Sequence, residues 1–360
     1  MSLLARNPEL LLCWSRERLL VHDLSRGIGL PVSPDLVAVL HLFDRPLTPE
    51  AAARRMRRYE KTSVLRGIRQ LRRLRFLLPA GDARRRKSRL AVWKGNLAAA
   101  FYHVASRDKP YIQSPAAIDL YLRKHVVTQP RPPRYRHYPV FPRVRLPRSG
   151  GGPPDAAALE RVLHARRTVR EFSREPVELR DLAAVVRGTW GETGWLDGGA
   201  LGRLTAKTSP SAGGLHPIEC YLFAWNVRNL PPGLYHYDVR EDELRRLKAG
   251  DFRRAGVRAA CGQQWIGKAA FLCVMTAVFT RTLWKYAFET AYRVLWLDAG
   301  HLCQAFDLLA TSRGLGAFQT AAIQDSFLEG LIGLDGVKEF PLYLCGAGVS
   351  LEMRPGSPAS

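Results

Sequence analysis

Three arginines and a hydroxyl stand close together in His164-Ala-Arg-Arg-Thr-Val-Arg-Glu-Phe172, and Thr208-Ser-Pro-Ser-Ala-Gly-Gly-Leu-His-Pro217 follows further along the chain. Arg166 and Arg170 are one helical turn apart, so their fork donors suit a phosphate monoester, which accepts charge-assisted hydrogen bonds. Arg167 and Thr168 lie on the same segment. In the second stretch, Ser209, Ser211, Gly213 and Gly214 let backbone N–H groups approach a flat ring without side chains in the way. Either stretch alone reads as a solvated helix end or an ordinary turn. Together they hold what a flavin phosphate needs.

The elements that must position these groups alternate between helix and strand. Apolar spacing predicts helices over 155–163 and 179–190, a strand over 219–225 and a hairpin joining 234–238 to 244–247. It further predicts a buried strand over 271–279, a strand over 340–345, and one helix over 283–312. That helix is apolar nearly all round in its middle and closed by Gly314. The expected fold class is α+β, a mixed sheet surrounded by helices, over residues 155–352. No internal repeat is visible.

Upstream the pattern changes. Two apolar runs between Leu10 and Leu24, parted by a polar tetrad, suit a hairpin. Ser33-Pro34 and Thr48-Pro49 each supply an N-cap followed by proline at the first helical position. Thr62 opens a third helix with Val64, Leu65, Ile68, Leu71 and Leu74 on one stripe and Arg66, Arg69, Arg72 and Arg73 on the other. A short strand is expected at Arg75–Leu78. This outline over 1–82 is that of a winged helix. Such domains bind nucleic acid; a domain of similar outline, related to PqqD, binds a leader peptide by adding a strand to its sheet; a purely structural role is the third alternative. Residues 83–154 read as a connector: the charge run Arg84-Arg-Arg-Lys87, a helical stretch over 91–103, and a Pro/Arg/Gly-rich segment from 129 to 154.

Composition bounds these readings. The chain has 360 residues, 46% of them apolar, enough for more than one core. Its net charge of +23 is uneven: residues 1–150 hold 31 Lys/Arg against 10 Asp/Glu, and the remainder 24 against 22. An acidic partner is therefore expected at the front. No apolar run of membrane-spanning length and no secretory signal is visible, so a cytoplasmic location without membrane association is expected. Cys13, Cys220, Cys261, Cys273, Cys303 and Cys345 show no Cys-x-x-Cys pair and read as buried thiols. His216 and His301 lack a ligand-spaced partner and read as structural, while Glu219 is a candidate for orienting a backbone amide near the glycine turn.

The segment 164–172 resembles the Arg-Arg-Ser-x-Arg-x-Phe opening of the flavin-dependent nitroreductase superfamily, with Thr168 in place of serine. The turn over 208–217, with Gly233-Leu-Tyr-His-Tyr-Asp238, is similar to the SagB-type branch, which includes McbC-like azoline dehydrogenases of peptide natural-product pathways. The resemblance continues through Lys285-Tyr286, Asp298-Ala-Gly-His-Leu302, Gly314-Leu-Gly316 and Pro341–Gly348, and Tyr102-His103 with Ser106 resembles the family's lead-in. It implies an FMN-binding fold with FMN at a homodimer interface. By family pattern Arg166 holds the phosphate, Arg170 or Arg167 stabilises charge towards N1 and the C2 carbonyl, and the backbone of Ala321, Ala322 or Ile323 lies near N5. Many relatives carry basic phosphate ligands near the end, where this sequence offers only Lys338 and Arg354.

A Lys-Tyr pair is the signature of azoline-oxidising members, which makes Lys285 and Tyr286 the catalytic candidates. On a helix they point about 100° apart and do not touch. Either Tyr286 is the base with Lys285 lowering its pKa, or Lys285 is a desolvated base with Tyr286 donating a hydrogen bond. An ion pair of Lys285 with Glu289 is the structural alternative. The function expected from the resemblance is an FMN-dependent dehydrogenase that oxidises azoline rings in a ribosomally made precursor peptide. Its expected partners are an acidic leader, a second copy of the chain and a cyclodehydratase, with nucleic acid disfavoured. The alternatives are an NAD(P)H-dependent nitro or quinone reductase and a nucleic-acid-binding redox regulator.

Overall fold

Two local signals act as their sequence predicts. Ser33 Oγ accepts from Leu36 N and Thr48 Oγ1 from Ala51 N, each just ahead of a helix that begins with proline. The structure, a computed structural model, describes residues 2–15, 18–24, 26–93, 96–108, 114–125, 154–198, 202–286 and 290–351. Chain contacts divide it into one unit of Met1–Asp108, Ala277–Trp296 and Glu329–Phe340, and another of Lys109–Thr276, Leu297–Leu328 and Pro341–Ser360.

The first unit begins with β1 (Leu4–Arg6), β2 (Leu10–Ser15), β3 (Arg18–Asp23) and β4 (Ile28–Pro31). The expected hairpin is β2 on β3, extended by β4 into an antiparallel sheet. Then come α1 (Pro34–His41), α2 (Pro49–Arg55), α3 (Lys61–Arg73) and β5 (Leu77–Pro79), which pairs with β1. On α3 the apolar stripe is buried at Val64, Ile68 and Leu71, and all four arginines of the opposite face are exposed. The helix starts two residues earlier than expected: Glu60 is at the N-cap, and Thr62 donates to its carboxylate instead of capping. Arg75 has φ +62, a turn that delays the strand to Leu77. The charge run over 84–87, expected as linker, lies inside α4 (Ala80–Leu90). Arginine and lysine are good helix formers, and Arg85 pairs with Asp82 one turn back. After a 3-10 turn at Ala91–Trp93 comes α5 (Leu97–Ser106).

Within the same unit, Trp93, His103, Phe279, Tyr292 and Phe340 form a buried ring cluster. His103 Nε2 is 3.1 Å from the Gly336 carbonyl, which can only accept, so Nε2 carries the hydrogen and Nδ1 accepts from Tyr292 O–H at 2.9 Å. Burial pushes the ring's pKa down to about 4.

The second unit carries α6 (Pro115–His125), α7 (Pro154–Ala165), β6 (Val177–Glu178) and α8 (Leu179–Trp190). Next come β7 (Glu192–Asp197), β8 (Arg203–Lys207), β9 (Ile218–Ala224), β10 (Val227–Arg228), β11 (Gly233–Asp238), β12 (Glu243–Ala249), α9 (Arg253–Ala259) and β13 (Phe271–Val278). The chain continues through α10 (Phe279–Lys285), α11 (Thr290–Ser312), β14 (Leu315–Thr320), α12 (Asp325–Ile332) and β15 (Glu339–Val349). Six strands form one sheet in the order β12-β11-β9-β13-β15-β14. The strand β13, apolar except for Thr276, is buried along nearly its whole length, as a central strand requires, whereas charged β12 takes an edge. The proline-rich part of the expected connector lies outside the described residues, apart from Pro154 at the start of α7.

The expected single helix over 283–312 is two helices. Tyr286, with φ −116 and ψ 87, ends α10, and α11 starts at Thr290. Nor is α11 apolar all round. Its buried residues, Ala291, Tyr292, Leu295, Asp298, Ala299, Leu302, Cys303, Phe306, Asp307, Ala310 and Thr311, follow an i, i+3, i+4 repeat, while Leu297, Gly300, His301 and Gln304 are exposed. Gly314 closes it with φ +71.

Candidate functional site

The arginine segment is laid against the β14 end of the sheet. Thr168 bridges Ala317, Val169 N donates to Ala317 O at 2.8 Å, and Phe172 bridges Ser350. Glycine is needed underneath it. A Cβ on Gly316 would lie 2.8 Å from Val169 Cγ1, and one on Gly348 would lie 2.9 Å from Phe172 Cδ1. That gives the two glycine motifs at 314–316 and 346–348 a physical reason: they let the segment dock flat.

The segment presents three guanidiniums with different surroundings. Arg166 Nη1 is 3.9 Å from Asp307 Oδ2 on α11. Arg167 Nη1 donates back to the carbonyls of His164 (3.0 Å) and Arg166 (2.8 Å). Arg170 sits 5.6 Å from the centre of the Trp265 ring, which meets Phe318 edge-on. Arg167 and Arg170 are exposed and form no ion pair among the described residues. Asp307 is almost wholly buried, and burial pushes its pKa up to about 6 against the opposing pull of Arg166 and a hydrogen bond from Gln319. One of its oxygens, Oδ1, has no hydrogen-bond partner among the described residues.

The serine–glycine turn is held by α11 as well, through Asp298. Ser211 Oγ donates to Asp298 Oδ2 at 2.5 Å and accepts from His216 N at 3.0 Å, and Ala212 N donates to Asp298 Oδ1 at 3.4 Å. Burial raises the Asp298 carboxyl above the ordinary carboxylate range. Gly213 and Gly214 have φ +66 and +68, a left-handed pair that disfavours any side chain. Ser209 is buried beside them. The free volume lined by Trp190, Ser209, Ser211, His216 and Asp298 is about 10 Å³, room for one water and no ring.

Asp298 and Asp307 are nine residues apart on α11, about 13 Å along its axis and about half a turn round it. Both lie within its buried stripe, on opposite sides of the stripe's centre, so the arginine segment and the serine–glycine turn meet α11 at well-separated points. At the end of β14, Thr320 Oγ1 accepts from Ala322 N (3.1 Å) and Gln263 Nε2 (3.0 Å), which anchors the backbone over 321–323.

Lys285 and Tyr286 are adjacent at the end of α10, and the break there overturns the expectation that they cannot touch. Lys285 Nζ lies 5.4 Å from the centre of the Tyr286 ring. Glu289, the proposed ion-pair partner, lies outside the described residues, as does Arg354. Lys338 is in the turn held by Asp335, which accepts its backbone N–H at 2.7 Å. Glu219 pairs with His236 across β9 and β11 at 2.8 Å, so its carboxylate serves the sheet. His216 Nε2 is 3.0 Å from the Thr205 carbonyl. Cys220, Cys261, Cys273, Cys303 and Cys345 are buried free thiols, and Cys13 is half-buried. No helix among the described residues is long and apolar enough to cross a membrane.

Three site residues had no role assigned from sequence: Asp298, Asp307 and Trp265. Asp298 stood inside a motif, and Asp307 is an acid in an otherwise apolar helical repeat, a pattern that signals a buried carboxylate. Nothing in the sequence pairs Trp265 with Arg170.

The segment that carries the arginines, the turn and both acids coincides with a match to the nitroreductase family model over residues 163–349. Among curated relatives, the chain is 30% identical over 194 residues to the nitroreductase-like protein MJ1384 of Methanocaldococcus jannaschii, covering 54% of this chain and 92% of that one. Trifolitoxin operon protein TfxC of Rhizobium leguminosarum bv. trifolii is 25% identical over 300 residues, 80% of this chain and 82% of TfxC. Trifolitoxin-processing protein TfxB of the same organism is 28% identical over 140 residues, 38% of each chain. With a family match across half its length and the arginine segment seated where that match begins, the chain belongs to the nitroreductase family of oxidoreductases.

Proposed function

We propose that the protein is an FMN-dependent dehydrogenase of ribosomal peptide maturation that oxidises azoline rings to azoles in a precursor peptide. Two exposed guanidiniums without an ion pair among the described residues, Arg167 and Arg170, beside Arg166 on a segment pinned to the sheet, carry the cofactor part of this reading. Their donor set fits a phosphate and the electron-rich edge of a flavin. Similarity to TfxC across 80% of this chain, and to the processing protein TfxB, supports a peptide substrate.

The residues would share the work as follows. Arg166 holds the phosphate, and Arg170, with Arg167, stabilises negative charge at the ring edge. Gly213 and Gly214 offer a flat surface for the ring, with Ser209 and Ser211 fixing the turn behind them. The two segments contact α11 through different residues, Asp307 and Asp298, which supports a site completed by the turn of a second copy of the chain. The cofactor supplies acceptance of a hydride; the proton leaving the azoline goes to the Lys285 and Tyr286 pair. Nζ of Lys285 lies near the Tyr286 ring, so the two can act on one proton, one as the base and the other as its hydrogen-bonding or electrostatic support. Residues 1–82 form a winged-helix-like leader-binding domain, 83–154 the connector and 155–352 the dehydrogenase, with a cyclodehydratase preparing the azoline.

Mixing protomers tests the composite site. Neither R166A/R170A nor G213V/G214V should hold FMN alone, whereas a mixed dimer should regain one site of the two. Absence of FMN from the unaltered protein after loading, or a mixture no better than its components, contradicts the reading. The similarity to MJ1384 over 92% of that protein supports a second reading, reduction of nitroaromatics or quinones by NAD(P)H. Turnover of nitro compounds without any change in peptide mass would favour it.

A further inference from the structure

Two cavities in the second unit, of about 650 and 630 Å³, adjoin along a shared wall made by Arg253, Gly267 and Lys268. Beyond that wall, Arg254 and Arg258 line one cavity and Arg174 the other. Among the described residues, five cationic side chains therefore line the pair, and no acidic one does. Background composition does not explain this, because residues 151–360 carry 24 Lys/Arg against 22 Asp/Glu. Arg174, Arg254 and Lys268 form no ion pair among the described residues. Arg253 faces Asp251 at 3.9 Å, an exposed contact of little worth, and Arg258 rests over the Phe327 ring.

The remaining lining discriminates between anions. Asn226 Nδ2 donates to the Arg174 and Glu175 carbonyls, and Gln264 Nε2 to the Gly262 carbonyl. Asn226 thus spends both amide hydrogens within the protein and Gln264 one of its two, so both carbonyl oxygens are left to accept, and the Gln264 and Gln324 amides add neutral donors beside the cations. A ligand that combines anionic groups with N–H donors suits this set, as a run of acidic residues does. The one aromatic side chain in the lining, Phe172, is buried, so no exposed ring offers a stacking surface for bases. Gly267 keeps the junction open, since a Cβ there would lie 3.1 Å from Val257 Cγ2 and 3.4 Å from Arg253 Cγ.

The geometry points to a groove over Arg174, Arg253, Arg254, Arg258 and Lys268 that binds an acidic peptide segment. It is a second anionic contact surface, separate from the strongly basic first 150 residues. The claim concerns binding alone and stands or falls whether or not the protein carries flavin.

Fluorescence anisotropy of a fluorescein-labelled hexaglutamate peptide with the full chain tests it. The double charge reversal R253E/K268E, on the shared wall, should weaken binding about tenfold at near-physiological salt. R161E/R180E, with the same change in net charge on exposed helical positions outside the groove, should weaken it less than about twofold. If R253E/K268E melts early, the milder R253Q/K268Q carries the comparison with the same expected ranking. Equal weakening by both pairs, or by neither, overturns the groove. So does displacement of the peptide by duplex DNA or inorganic triphosphate at lower concentration than by unlabelled hexaglutamate.

Discussion

Replacing Asp307 with asparagine removes a carboxylate that the fold seals beside Arg166. Its pKa rises from 3.8 to about 6 on folding, which corresponds to about 3 kcal/mol. The sign follows from linkage: the folded state holds this proton more tightly, so the contribution is favourable at pH 4 and is lost as pH rises through 6. At pH 7.5 the buried ion is a net cost, and D307N, similar in shape and uncharged, should melt a few degrees higher than the parent protein. At pH 4 the two should coincide. Thermal melts at half-unit pH steps read this directly. The same carboxylate faces any phosphate that Arg166 holds, so FMN affinity of the parent protein should fall between pH 5 and 7 more steeply than that of D307N. An asparagine variant that is less stable at pH 7.5, or whose advantage does not vary with pH, would refute the reasoning.

Other substitutions separate the roles. R166A removes a charge-assisted phosphate contact of about 1.5–3 kcal/mol, so FMN should bind about 10- to 100-fold more weakly in an equilibrium titration, with folding intact. S211A deletes the 2.5 Å bond to Asp298 and the acceptor for His216 N; a loss of about 1–3 kcal/mol should appear as a lower melting temperature. K285M and Y286F should each slow peptide oxidation by about 10²–10⁴ while leaving FMN content unchanged, as read by single-turnover mass spectrometry and flavin absorbance.

What could be read from the sequence was local. Ser33 and Thr48 cap the helices they precede because a cap needs only its own turn. Leu179–Trp190 and Phe271–Val278 fall almost where periodicity puts them. The break after Lys285 was not legible: no proline or glycine stands between Leu283 and Ala299, and the conformation of Tyr286 has no local signature. The helix over the 84–87 charge run was missed for the opposite reason, since helix-forming residues were read as a solvated linker. In the candidate site, the arginines and the glycine turn stood out by residue type. Their attachment to well-separated points on α11 depends on Asp307 and Asp298, contacts more than eighty residues away in sequence. The crowding at Gly316 and Gly348 likewise exists only once the arginine segment lies on the sheet.

The most direct measurement is an anaerobic single turnover of FMN-loaded protein with an azoline-bearing precursor peptide, following flavin absorbance and peptide mass together. The account predicts bleaching of one flavin for each peptide that loses two hydrogens, with Y286F retaining its flavin colour throughout. A flavin that stays oxidised while the peptide mass does not change, or one that bleaches with NADPH and passes its electrons only to nitro compounds, would contradict it.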